Sequence, residues 1–160
     1  MMDKRKGEKI RAYLLGNEET IAIAESVTSG LLQWQFSNLT DAQNFYQGGV
    51  TTYNLGQKYK HLVVEPIHAM SCNCVSAKVA EEMAKNVCTL FNSNWGIGIT
   101  GYATPVPEAD NQLFSYYAIC YNGIIQLAGK INSKQLEPEK VQLAYARTVI
   151  NKLTDCIAKL

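Results

Sequence analysis

Three short segments of this sequence carry side chains suited to covalent chemistry on a small molecule. The first is Glu25-Ser26-Val27-Thr28-Ser29-Gly30, directly after the apolar run T-I-A-I-A at residues 20–24. A serine between a strand and a helix sits where the helix start offers free N–H groups and the positive end of its dipole. Such a turn can bind phosphate, hold an oxyanion or present a nucleophilic hydroxyl. Equally, Ser26, Thr28 and Ser29 read as capping residues. The second segment runs from Tyr53 to Lys58. A lysine activates a serine only when burial lowers its pKa, and Tyr53 can hydrogen-bond such a lysine or its substrate. The alternative is a strand-end tyrosine and a solvent-facing helix lysine. The third segment is Thr100-Gly101, which ends the run W-G-I-G-I-T. In open α/β sheets ligands gather beyond the C-terminal ends of strands, although the pair also reads as an ordinary turn.

No metal or cofactor is expected. His61 and His68 have no neighbour at ligand spacing and read as structural or solvated. Cys72 and Cys74 are one residue apart, poor spacing for structural zinc, and read as inert. Five cysteines without a signal peptide read as reduced thiols of a cytoplasmic protein. A formal net charge of +1 with Lys and Arg spread along the chain argues against a nucleic-acid partner. The apolar runs fall far short of the ~20 residues a membrane span needs. Nine tyrosines leave room for a homo-oligomer interface.

The elements that must position these groups follow from periodicity. A helix is expected from Lys6 to Leu15, ended by Gly16-Asn17, and a buried strand from Thr20 to Ala24. A helix carrying Leu31, Leu32, Trp34, Gln35 and Phe36 comes next. Phe45 to Tyr53 reads as a strand, with Gly48-Gly49 marking a bulge or close backbone approach. Asn54 to Val63 reads as a short helix with Leu55, Tyr59 and Leu62 on one side, followed by a polar loop. Ser76 caps a helix whose Val79, Ala80, Met83, Val87 and Leu90 repeat at three and four. Trp95 to Thr100 is a strand, and Phe114–Tyr121 with Ile124–Ile131 forms a hairpin about Asn122-Gly123. A helix from Glu137 to Ile157 closes the chain, with Pro138 near its first turn. This order implies an α/β fold, a mixed sheet between helix layers in one domain over residues 1–160.

Taken in order, T-I-A-I-A-E-S-V-T-S-G, V-T-T-Y-N-L-G-Q-K, C-V-S-A-K-V-A-E-E-M-A and G-I-G-I-T-G-Y-A-T-P resemble the C-terminal domain of the CinA (competence and damage inducible) family. That family carries A-E-S-C-T-G-G, V-T-Y-S-N-E-A-K, A-V-S-E-E-V-A-x-E-M-A and I-T-G-I-A-G-P. The resemblance runs from about Thr20 to the final helix and implies a three-layer α/β/α fold. It also implies an amidohydrolase that releases ammonia from the carboxamide of nicotinamide mononucleotide (NMN), and a homo-oligomer. Carried over, Ser26 matches the nucleophile, Lys58 its activating partner and Tyr53 the tyrosine of the second block. Thr28, Gly30, Thr100 and Gly101 match pocket positions, and Ser29 stands where the family has the first glycine of its pair.

The departures gather on the ligand side. Ser29 puts a side chain where a glycine allows close approach. After Gly101 the family runs into a glycine-rich segment, whereas Tyr102 to Asp110 contains no glycine and holds Pro105 and Pro107, which remove donors. Ser133-Lys134 and Val141-Gln142 stand where the family offers arginines suited to phosphate. Three readings follow: an NMN-type amidase using Ser26 and Lys58, a non-catalytic relative that binds a small ligand or an oligomeric partner, and an amidohydrolase for an unphosphorylated carboxamide.

Overall fold

The computed structural model describes residues 2–159. Five strands form one mixed sheet in the order β2-β1-β3-β4-β5, where β1 is Ile21–Glu25, β2 Tyr46–Thr51, β3 Trp95–Gly101, β4 Phe114–Tyr121 and β5 Ile124–Asn132. β1 runs parallel to both β2 and β3, while β4 and β5 return antiparallel. Helices cover both faces, giving the expected three-layer α/β/α arrangement.

The alternation of side chains along β1 divides the core. Ile21 and Ile23 face a cluster built with helices α1 (Lys4–Gly16), α2 (Leu31–Ser37) and α6 (Pro138–Ile157), through Ile10, Leu14, Phe36, Tyr145 and Val149. Ala22 and Ala24 face the other layer, made by α3 (Leu55–Leu62), α4 (Pro66–Ser71) and α5 (Ala77–Phe91), through Leu62, Ala69, Val79, Met83 and Val87. Strand positions on that side are small because α5 lies close upon them. A Cβ on Gly98 would meet the Ala84 N–H nitrogen at 2.6 Å and the Met83 Cβ at 2.9 Å. Leu90 is the member of the expected α5 stripe left exposed.

Most turn chemistry read from the sequence is present. Ser76 accepts from the Val79 N–H at 3.1 Å, and Asn122 and Gly123 both take positive φ (47° and 81°) in the hairpin. The β1–β2 register slips between Ile21 and Ala22, opposite Tyr46 and Gly48, so the glycine pair does mark a bulge. Two expectations need correction. The polar loop after Val63 contains α4, whose start is fixed by Pro66 in its first turn and by Glu65 accepting from the Ile67 and His68 N–H groups. Six residues are too few to show a helical period. In α3 the inner positions are Leu55, Lys58 and Leu62, while Tyr59 is exposed.

Candidate active site

The parallel strands β1, β2 and β3 all end at one edge of the sheet, and a cleft of about 470 Å³ opens there. Ser26 follows β1, Tyr53 stands just past β2, and Thr100 and Gly101 end β3. All four line the cleft, together with Lys58 from α3. Thr100 and Gly101 thus stand where strand-end ligand sites are expected. The Thr100 hydroxyl donates to the Cys74 carbonyl at 2.7 Å, which ties β3 to the Asn73-Cys74 turn across the cleft.

Lys58 is the central side chain. It is 1% exposed, so the solvent-facing reading of this lysine is wrong. A leucine would suit its position on the inner stripe of α3. Its amine instead reaches past the core to two oxygens, Ser26 Oγ at 2.9 Å and the Thr52 carbonyl at 2.7 Å. Burial pushes its pKa from the ordinary lysine value down to about 8, with Cys74 nearby opposing the shift slightly. Cys74 itself lines the cleft with its thiol pushed up by burial, which keeps it protonated and a poor nucleophile.

The turn after Ser26 is held from behind by Glu25, which the motif reading passed over. Its carboxylate is fully buried. It accepts from the Thr28 hydroxyl at 2.5 Å and from the N–H groups of Gly30, Leu32 and Gln33 at 3.2, 3.1 and 2.8 Å. The start of α2, read from the sequence as an anion site, is therefore filled by the protein's own carboxylate. Thr28, Ser29 and Gly30 do not line the cleft: Thr28 and Gly30 serve Glu25, and Ser29 is exposed with φ 49°. A serine in the place of a glycine therefore does not narrow the cleft. The N–H group of Val27, which follows Ser26 in the cleft lining, donates to no acceptor among the described residues. This amide can hold an oxyanion formed at Ser26.

Tyr53 stands at the rim, 77% exposed, and it is the Thr52 carbonyl beside it that holds Lys58. The far wall comes from the segments where the sequence departs from the family pattern. Tyr102 lines it, with its ring edge-on to Phe114 and its hydroxyl accepting from the Asn73 amide at 3.3 Å. Gln142 of α6 also lines it, donating through Nε2 to the Val27 carbonyl at 2.9 Å. Their segments stand out in the sequence as departures, but the contact of Gln142 with Val27, 115 residues away, is visible only in the fold. Among the described residues no three His, Cys, Asp or Glu side chains cluster as metal ligands, and no helix is long and apolar enough to cross a membrane.

The sequence model of the CinA C-terminal domain matches residues 3–157. The chain is similar to a competence-damage inducible protein of Moorella thermoacetica, 33% identical over 133 residues, which are 82% of this chain and 32% of that relative. A competence-damage inducible protein of Alkaliphilus oremlandii is 33% identical over 119 residues, 73% of this chain and 29% of its own length. The chain thus spans about three tenths of the length of these curated relatives. Among solved structures, a competence-damaged protein (CinA) superfamily protein from Klebsiella pneumoniae superposes with a TM-score of 0.89 over 98% of both chains at 23% identity. A competence/damage inducible protein of Agrobacterium tumefaciens gives 0.86 over 98% of both chains at 21% identity. At these identities the likeness is one of fold.

Proposed function

The chain belongs to the CinA C-terminal domain family, and from that premise and the Ser26–Lys58 contact we propose that it is an amidohydrolase with Ser26 as nucleophile. The observation that carries the reading is a buried amine 2.9 Å from a serine hydroxyl at the floor of a cleft, with its pKa lowered to about 8. In neutral form such an amine keeps one N–H for the Thr52 carbonyl and turns its lone pair to the Ser26 O–H.

Lys58 takes the Ser26 proton as Oγ attacks the carboxamide carbon, and the carbonyl oxygen becomes an oxyanion held by the Val27 N–H group. The Lys58 ammonium then gives its proton to the amide nitrogen, the C–N bond breaks and ammonia leaves. The acyl group remains as an ester on Ser26. Water, deprotonated by Lys58, attacks that ester and releases a carboxylate, and the proton returns to Ser26. The substrate expected from the family resemblance is NMN, with nicotinic acid mononucleotide as the product.

The test is ammonia release by the purified protein from NMN and from its unphosphorylated riboside, beside Ser26→Ala and Lys58→Met. Turnover that disappears in Ser26→Ala and falls on the order of a hundredfold or more in Lys58→Met is the expected result. Equal ammonia release by the parent protein and Ser26→Ala would overturn the reading.

A further inference from the structure

The remote end of a substrate must rest against the outer part of the cleft, and its chemistry can be read from what lies there. Among the described residues lining the cleft Lys58 is the sole cation, and it is committed to Ser26 and Thr52 at the floor. The outer wall is neutral: Tyr102, Thr104, Val106, Pro138 and Gln142. Gln142 lines the cleft from α6, uncharged, and donates one Nε2 hydrogen to the carbonyl of Val27, the residue after the reacting serine.

The charges near the rim have the wrong sign or face elsewhere for a phosphate. Glu137 and Glu139 flank Pro138 at the start of α6 and offset the positive end of that helix. Lys140, one turn further, is paired to Glu137 at 2.8 Å and lines a separate groove with Arg147. The start of α2 is filled by Glu25. A phosphate dianion entering this cleft loses water without gaining the charge-assisted hydrogen bonds that normally replace it.

We propose that the cleft selects a small carboxamide that carries no phosphate, and that Gln142 is the specificity-determining residue. This inference rests on the amidohydrolase reading and narrows its substrate class. A neutral glutamine held by Val27 leaves room for a sugar hydroxyl or a bare ring edge. An arginine at the same place on α6 is long enough to retain a backbone contact and to present a planar fork to phosphate.

The test compares kcat/KM for ammonia release from nicotinamide riboside and from NMN, which share the ring, its charge, the carboxamide and the ribose and differ in the phosphate. The riboside is expected to be the better substrate, with millimolar inorganic phosphate leaving its turnover unchanged. Gln142→Arg is expected to shift the ratio toward NMN by roughly tenfold, the scale of one charge-assisted pair. NMN preferred by the parent protein overturns this inference alone, and that comparison stands even if the variant fails to fold. A Gln142→Arg protein that folds and keeps the parent ratio removes Gln142 from the proposal. Ammonia from neither substrate overturns the amidohydrolase reading and this inference together.

Discussion

The Lys58 amine meets the Ser26 hydroxyl at 2.9 Å, and its other hydrogen-bond partner is the Thr52 carbonyl at 2.7 Å. Neither partner is a carboxylate, so the two neutral oxygens offset only part of the lost hydration of an ammonium. Burial therefore decides the balance and lowers the pKa to about 8. The same interior position that a leucine would take makes this lysine a base.

Activity should follow that titration. The proton-accepting form of Lys58 is the neutral one, so kcat for ammonia release is expected to rise through a midpoint near pH 8 and level off above it. Roughly a tenth of the amine is neutral at pH 7, and the rate there should be lower by about that factor. A pH profile with no rise between pH 7 and 9 removes Lys58 from the base role.

Stability should carry a mark of the same group, in the same direction. In the unfolded chain Lys58 keeps its proton up to the ordinary value of 10.5, whereas in the fold it releases it above about 8. Between those values the unfolded state binds more protons, so the contribution of this group to stability rises with pH. Below about pH 8 the buried ammonium costs on the order of 3 kcal/mol. Urea unfolding at pH 8 and about 9.5 is expected to show the parent gaining about 2 kcal/mol relative to Lys58→Met. Parallel pH dependence of the two proteins would contradict the buried-amine picture.

Tyr53 offers a contrast, because its place in the motif suggests a partner for Lys58 and its place in the fold is the exposed rim. With the Thr52 carbonyl holding the amine, removal of the Tyr53 hydroxyl leaves the Lys58 environment intact. Tyr53→Phe is expected to change KM by a few-fold at most and to keep the kcat midpoint near pH 8. A midpoint moved by a full unit would place the phenol in contact with Lys58 during turnover.

Much of this architecture was legible in the residue order, for identifiable reasons. The T-I-A-I-A run, the Asn122-Gly123 turn and the Ser76 cap are local signals whose physics acts within a few residues, and each element formed as read. Ser26, Thr100 and Gly101 came to one cleft because parallel strands end on one edge. The failures are non-local or too short. Lys58 occupies the inner stripe of α3, which a period count assigns to apolar residues, and only the oxygens of Ser26 and Thr52 make that tolerable. The motif match suggests Thr28 and Gly30 as ligand positions, but Glu25 draws them to itself. Gln142 reaches Val27 across 115 residues, a distance no pattern within a helix can register.

The fit of α5 on the sheet gives a stability prediction without chemistry in it. A Cβ at Gly98 would stand 2.6 Å from the Ala84 backbone nitrogen and 2.9 Å from the Met83 Cβ, so the helix must lift from β3 to admit it. Gly98→Ala is expected to cost about 3 kcal/mol or more, read as a lower urea midpoint. A loss below about 1 kcal/mol would show that α5 is free to shift.

Glu25 is the residue on which the shape of the Ser26 turn depends. Its two oxygens receive four donors, the Thr28 hydroxyl and three backbone N–H groups at the start of α2. Glu25→Gln preserves the volume but turns one acceptor into a donor, so at least one buried N–H or O–H faces an NH2 group. The cost of that mismatch, with the lost charge at the helix start, is on the order of 3 kcal/mol. Thr28→Ala deletes a single one of the four bonds and should cost about 1 kcal/mol. Neither residue touches the cleft, so the two variants should keep the pH midpoint set by Lys58 while kcat falls in Glu25→Gln, where the turn loosens and Ser26 drifts from the amine. Denaturation curves and pH–rate profiles of both variants decide the matter. A Glu25→Gln protein as stable and as fast as the parent would mean that the turn holds its shape without the carboxylate.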